Sequence, residues 1–182
     1  MILPIYTYGS AVLRKVATPI DKNYPNLKEL IENMFDTMHN SEGVGLAAPQ
    51  IGLSIRLLVA DLMALKDDHP ELADFKIVMI NPEILQASDE KENGEEGCLS
   101  IPGIHENVVR HKTITVKYFD SNFIAHSDTF VDYKARVIQH EIDHLDGNVF
   151  TDKVSPIRRQ FIKTKLTNII KGRTPTKYKI AK

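Results

Sequence analysis

Apolar positions recur along this chain with two periods, and each period marks a different kind of element. Leu27, Leu30, Ile31, Met34, Phe35 and Met38 fall at i, i+3, i+4, i+7, i+8 and i+11, the stripe of an amphipathic helix over residues 25–39. Ala135, Ile138, Ile142 and Leu145 follow at i, i+3, i+7 and i+10 and predict a second helix, which Asp132 can cap and Gly147 stops. Ser155-Pro156 reads as an N-cap with proline at the first helical position. The helix it opens runs to Gly172, with Ile157, Phe161, Leu166 and Ile169 marking one packed side. Residues 10–15 suit a short helical turn. Residues 55–61, 75–80, 113–119 and 125–130 are rich in Val, Ile, Thr and aromatics and read as strands, with Asp67-Asp68-His69-Pro70 as a polar loop between the first two.

No repeat, linker or compositional break divides these elements. The expected fold is α+β: a single domain over residues 1–172, its second helix packed among short, mainly antiparallel strands, with a peripheral C-terminal helix and then a basic tail over 173–182.

The second helix carries chemistry. His140-Glu141-Ile142-Asp143-His144 places two imidazoles at i and i+4, one above the other on one helix face, where both reach a single divalent ion. Glu141 projects beside that ion, where a carboxylate can take a proton from a water. The alternative is a pair of ordinary histidines on an amphipathic helix. They lie off the apolar stripe, on the face shared by Val137 and Glu141.

A catalytic site of this kind normally has three protein ligands, so one is missing. One large group of metallopeptidases places a histidine where this chain has Phe150, and another needs an acidic residue well downstream, but none follows Asp152. The third ligand is therefore expected upstream. Cys98, in Glu95-Glu96-Gly97-Cys98-Leu99-Ser100, is the only cysteine. A lone cysteine is more often a small buried hydrophobe, but opposite two spare histidines its thiolate is the natural third donor. It also excludes an intramolecular disulfide, which suits a reducing compartment.

Three blocks, Gly43-Val44-Gly45-Leu46-Ala47-Ala48-Pro49-Gln50, Glu96-Gly97-Cys98-Leu99-Ser100 and Gln139-His140-Glu141-Ile142-Asp143-His144, give the chain a close resemblance to the peptide deformylases. Those enzymes remove the formyl group from the N-terminal formyl-methionine of new bacterial proteins. The resemblance implies Cys98, His140 and His144 as ligands and Glu141 as general base. It implies that Gln50 and the backbone N–H of Leu99 stabilise the oxyanion. Val44, Val137 and the His140 ring would line the methionine pocket, the substrate would pair as an added strand with the segment of Gly43 and Gly45, and Gly97 is expected among the substrate-binding residues. Arg110 matches a family arginine that pairs with the residue at Glu96 and holds the cysteine loop. The resemblance further implies a native Fe(II), with Zn, Ni or Co able to replace it.

Two positions depart from the family pattern. His105 stands where arginine is common, and Gly94 where an apolar residue is frequent, so the outer rim of the site is expected to differ. His39, His69, His111 and His126 read as ordinary surface histidines. The rival functions are a metal module that no longer turns over substrate, and an endopeptidase. Intact Glu141 and Gln50 argue against the first, and the missing downstream ligands against the second.

Charge changes the picture at one end. The chain carries 23 basic and 24 acidic residues, but residues 153–182 hold ten of the basic and none of the acidic ones. That leaves a net of −11 before residue 153 and +10 after it, which points to an anionic partner for the C-terminal helix and tail. Nucleic acid is the obvious class, and the resemblance narrows it to ribosomal RNA, the alternative being a solvated helix face. No run reaches membrane-spanning length, and Met1-Ile2-Leu3-Pro4-Ile5-Tyr6 lacks the basic and apolar regions of a secretory signal, so a cytoplasmic location and no membrane partner are expected.

Overall fold

The computed structural model describes residues 1–181. In chain order it comprises β1 (Ile5–Tyr6), α1 (Leu27–Asn40), β2 (Gly45–Ala47), β3 (Leu57–Asp61), β4 (Lys76–Ala87), β5 (Lys91–Cys98), β6 (Ile101–His111), β7 (Thr113–Phe119), β8 (Ala125–Val131), α2 (Asp132–Leu145), α3 (Pro156–Ile170) and β9 (Ile180–Ala181), with short 3₁₀ turns between. Five strands form an antiparallel sheet in the order β2-β3-β4-β7-β8, β5 and β6 make a separate hairpin, and β1 pairs with β9 in parallel. This is the α+β architecture that the periodicities predict.

Strand β3 explains why the sheet sits at the centre. Successive side chains alternate in direction, and here both directions are apolar. Leu58 faces the stripe of α2, packing with Ala135, Ile138, Ile142 and Leu145. Leu57 and Val59 join Met34 and Met38 of α1. The two helices thus cover β3 from opposite sides, and all five residues of β3 are buried. The third cluster joins α3 to the hairpin through Ile162, Leu166 and Ile169 against Ile101, Ile104 and Val108.

Several sequence expectations are corrected. The packed face of α3 is Ile162, Leu166 and Ile169, whereas Ile157 and Phe161 are 72% and 71% exposed. The spacing i, i+4, i+7 keeps one helical face, while Ile157 and Phe161 drift off it. Asp132 makes no capping bond with its side chain. Strand β8 runs straight into α2, and Asp132 turns that corner at φ +53°, a left-handed conformation that Asp tolerates better than most residues. Strand β4 continues to Ala87, seven residues beyond its expected end, and the whole β5–β6 hairpin was unforeseen. At the other end, Ser155 does cap α3, accepting a hydrogen bond from the Arg158 N–H.

The tail folds back. Strand β9 lies against β1, the Ile5 N–H donates to the Lys179 carbonyl at 2.9 Å, and the Tyr178 hydroxyl donates to the Leu99 carbonyl at 2.6 Å. Among the described residues, no helix is long and apolar enough to cross a membrane.

Candidate metal centre and active site

Helix α2 and the end of β5 bring the predicted donors together. Donor atoms of Cys98, His140 and His144 all lie within 4.8 Å of one another. Cys98 Sγ is 3.2 Å from His144 Nε2, and the other ring nitrogen of His140, Nδ1, is 2.9 Å from Glu96 Oε2. That contact turns Nε2 of His140 toward the cluster, the usual way in which a neighbouring carboxylate orients a ligating imidazole. One thiolate and two imidazoles within this span suit a single tetrahedral ion with one position left open.

Glu96 is held by more than His140. Arg110 donates to it from Nε at 2.8 Å and Nη2 at 2.9 Å, and Arg136 donates from Nη1 at 2.9 Å. Burial opposes a charge there, but the hydrogen bonds from Arg110 and His140 outweigh it and keep the carboxyl well below the usual carboxylate range. Arg110 also reaches Asp143 of α2, so one side chain of β6 holds Glu96 of β5 and ties the hairpin to the helix.

Arg136 was not singled out from the sequence. It donates to the Glu92 and Val108 carbonyls, each at 2.8 Å, as well as to Glu96. Its position four residues before His140, on the same helix face, is the signal that could have found it. It also explains Gly94, since a Cβ there would sit 2.8 Å from the Arg136 guanidinium carbon. The small residue on β5 and the large one on α2 fit together.

Glu141 is buried, and its Oε2 has no hydrogen-bond partner among the described residues. Burial pushes its carboxyl up to about 7. Its other oxygen explains Gly45, because any Cβ at that position would run into the Glu141 carboxylate. Gln50, on the 3₁₀ turn after β2, accepts a bond from the Ala47 N–H at 2.8 Å and turns Nε2 toward Cys98 Sγ at 3.4 Å and Ser100 Oγ at 3.3 Å. Leu99 follows Cys98 in the tight turn between β5 and β6.

A cavity of about 690 Å³ opens onto these groups. Val44, Gly45, Gly97, Val137 and His140 line it, together with Gln50, Glu96, Leu99 and Glu141. Val137 packs with Leu72, Val44, Leu65 and Tyr133 into an apolar wall. His105 also borders the cavity, its ring lying over Gly97. Arg110 stays behind the wall. His39, His69, His111 and His126 lie outside this cavity and bond locally to Asp61, Glu71, the Ser88 carbonyl and Asp120.

Residues 2–160 match the family model of polypeptide deformylase. The chain belongs to that family. A peptide deformylase from Christiangramia forsetii is 48% identical over 99% of this chain and 95% of its own length. Among solved structures, a peptide deformylase from Legionella pneumophila is 40% identical and superposes with a TM-score of 0.83, covering 96% of this chain and 100% of that one. A class I type b peptide deformylase from Acinetobacter baumannii with Met-Ala-Ser bound is 34% identical, with a TM-score of 0.76 over 85% of this chain and 99% of that one. The protein is thus a metal-dependent hydrolase of the deformylase type, acting on formylated nascent peptides, and the Cys98, His140 and His144 cluster suits its metal.

Proposed function

We propose that Glu141 is the general base and acid of deformylation, with Cys98, His140 and His144 holding the ion and Gln50 and Leu99 receiving the oxyanion. The observation that carries this reading is the buried carboxyl of Glu141, unpartnered at Oε2, lining the same cavity as Cys98 and His140, with His144 Nε2 3.2 Å from the Cys98 sulfur. A divalent ion held there supplies Lewis acidity and eases ionisation of a water. Glu141 takes the proton from that water as its oxygen bonds to the formyl carbon. A carboxyl raised toward neutrality by burial both accepts and returns a proton readily, although a cation nearby opposes that rise. Negative charge collects on the former formyl oxygen, where the Gln50 amide and the Leu99 N–H donate to it. The C–N bond then breaks, Glu141 delivers its proton to the departing amine, and formate leaves.

The peptide takes the place of an extra strand. β2 is an edge strand of the main sheet, and its Gly45 end faces the cavity opposite Gly97 of β5. An extended chain laid between them gains main-chain hydrogen bonds, and its side chains fall alternately into pockets. The apolar wall of Val44 and Val137 suits an unbranched methionine side chain. The Met-Ala-Ser bound by the Acinetobacter relative is a peptide of this class.

The ion we infer is Fe(II), with Zn, Ni or Co able to use the same donors; metal analysis of anaerobically prepared protein tests it. The working compartment is the cytoplasm. The basic face of α3 is the candidate ribosome contact: Arg158 is engaged by Glu106 and Arg159 by the Thr151 carbonyl, while Lys163, Lys165 and Lys171 stand exposed on the helix and its end. Incubation with formyl-Met-Ala-Ser should release formate and leave internal peptide bonds intact. Cleavage inside the peptide, or no formate from a metal-loaded sample, would overturn the assignment.

A further inference from the structure

The C-terminal segment reaches the active site, and nothing in the sequence pattern announces it. Tyr178 and Leu99 are 79 residues apart in the chain, yet the phenol donates to the Leu99 carbonyl at 2.6 Å. The segment is pinned just beyond that point by the pairing of Ile180 with Ile5 and of Ala181 with Tyr6. Pro175, Thr176, Lys177 and Tyr178 line the same cavity as Glu141 and Gln50. The Tyr178 ring packs with the cluster that holds Leu46 and Met38, and burial together with the neighbouring Cys98 pushes its hydroxyl up to about 12.

Resting on the role given above to the Leu99 N–H, we propose that Tyr178 is a positioning residue for deformylation, its hydroxyl fixing the Leu99 backbone while residues 175–178 form an outer wall of the peptide cleft. Leu99 occupies a turn held on three sides. Gln50 reaches Cys98 and Ser100, the Tyr8 N–H donates to the Ser100 carbonyl at 2.8 Å, and Tyr178 holds the carbonyl of Leu99 itself. The Leu99 side chain meanwhile lies close to Gly43, where a Cβ would come within 2.8 Å of its Cδ1. With side chain and carbonyl both fixed, little freedom remains for the N–H to swing. A donor aimed at developing charge works through such preorganisation. The basic residues of the tail thus flank a tyrosine that serves the site.

The hydroxyl can be removed without removing the ring. Tyr178→Phe keeps the packing, so kcat per metal-loaded site for formyl-Met-Ala-Ser should fall about fivefold, the rate equivalent of one ordinary hydrogen bond. KM should stay within about twofold, because the Leu99 N–H meets its charge only in the transition state. Metal content should be unchanged, and the carbon-13 resonance of the Leu99 carbonyl should shift. A lowered Tm with kcat per loaded site unchanged would mean that Tyr178 only packs, and would overturn the proposal. So would an unmoved Leu99 carbonyl resonance. Gln50→Ala, assayed in parallel, separates the layers. If it lowers kcat at full metal and Tyr178→Phe does not, the tyrosine proposal fails alone. If Gln50→Ala also leaves kcat intact, the oxyanion reading has failed and carries the proposal down with it.

Discussion

Cys98 shows how much one residue type decides. Its sulfur lies 3.2 Å from His144 Nε2 and within the 4.8 Å span of the three donors. Alanine in its place leaves two imidazoles, too few for a stable catalytic site. Cys98→Ala should therefore fold, since the change is small and the residue only partly buried, yet lose metal affinity by at least about tenfold. Metal content per chain after dialysis checks this, and one full equivalent retained in the variant would exclude Cys98 as a ligand. That Cys98, His140 and His144 come together was readable from the chain because such chemistry is tied to residue type and, for the two histidines, to i, i+4 spacing. Arg136 escaped notice because an arginine on a helix is usually solvated, and only the hairpin folded over it shows what it holds.

The β5–β6 hairpin is the element that the sequence hides and the site most needs. Residues 91–97 hold no apolar side chain, and the inward positions of β6 include Glu106 and Arg110 as well as Ile104 and Val108. Hydrophobic alternation is the usual strand signal, and here charged residues occupy half of it. What replaces it is the buried ionic network centred on Glu96, which cannot be seen until α2 is placed beside the hairpin. Elements with clean apolar stripes, α1, α2 and β7, were readable nearly to the residue. Gly94 gives the network a test. Alanine there would collide with a guanidinium that four hydrogen-bond contacts keep in place, so the collision cannot be relieved by a free swing of the side chain. Gly94→Ala should cost about 1–3 kcal/mol, the range for overpacking, read as a lower denaturation midpoint. An unchanged midpoint would show that Arg136 is not locked.

At the scale of the whole molecule, the exposed lysines of α3 lie away from the catalytic cavity. The cavity takes Glu42, Glu95, Glu96 and Glu141 from the acidic part of the chain, while α3 and its end present Lys163, Lys165 and Lys171 outward. Reversing those three to Glu should leave kcat/KM on short formyl peptides within about twofold, because none of them lines the cavity. Ribosome binding should weaken, and wild-type binding should fall steeply as salt rises. Equal binding by the reversed protein at moderate salt would make the basic face an ordinary solvated surface.

The central claim is that one buried carboxylate beside three metal-binding side chains performs the proton transfers of deformylation. Glu141→Gln tests it most directly, since the side chain keeps its size and is not among the three donors. Formate release from formyl-Met-Ala-Ser, measured per equivalent of bound metal, should fall at least about 10²-fold while metal content stays at the wild-type level. Near-normal formate release from a fully metal-loaded Glu141→Gln protein would contradict the account.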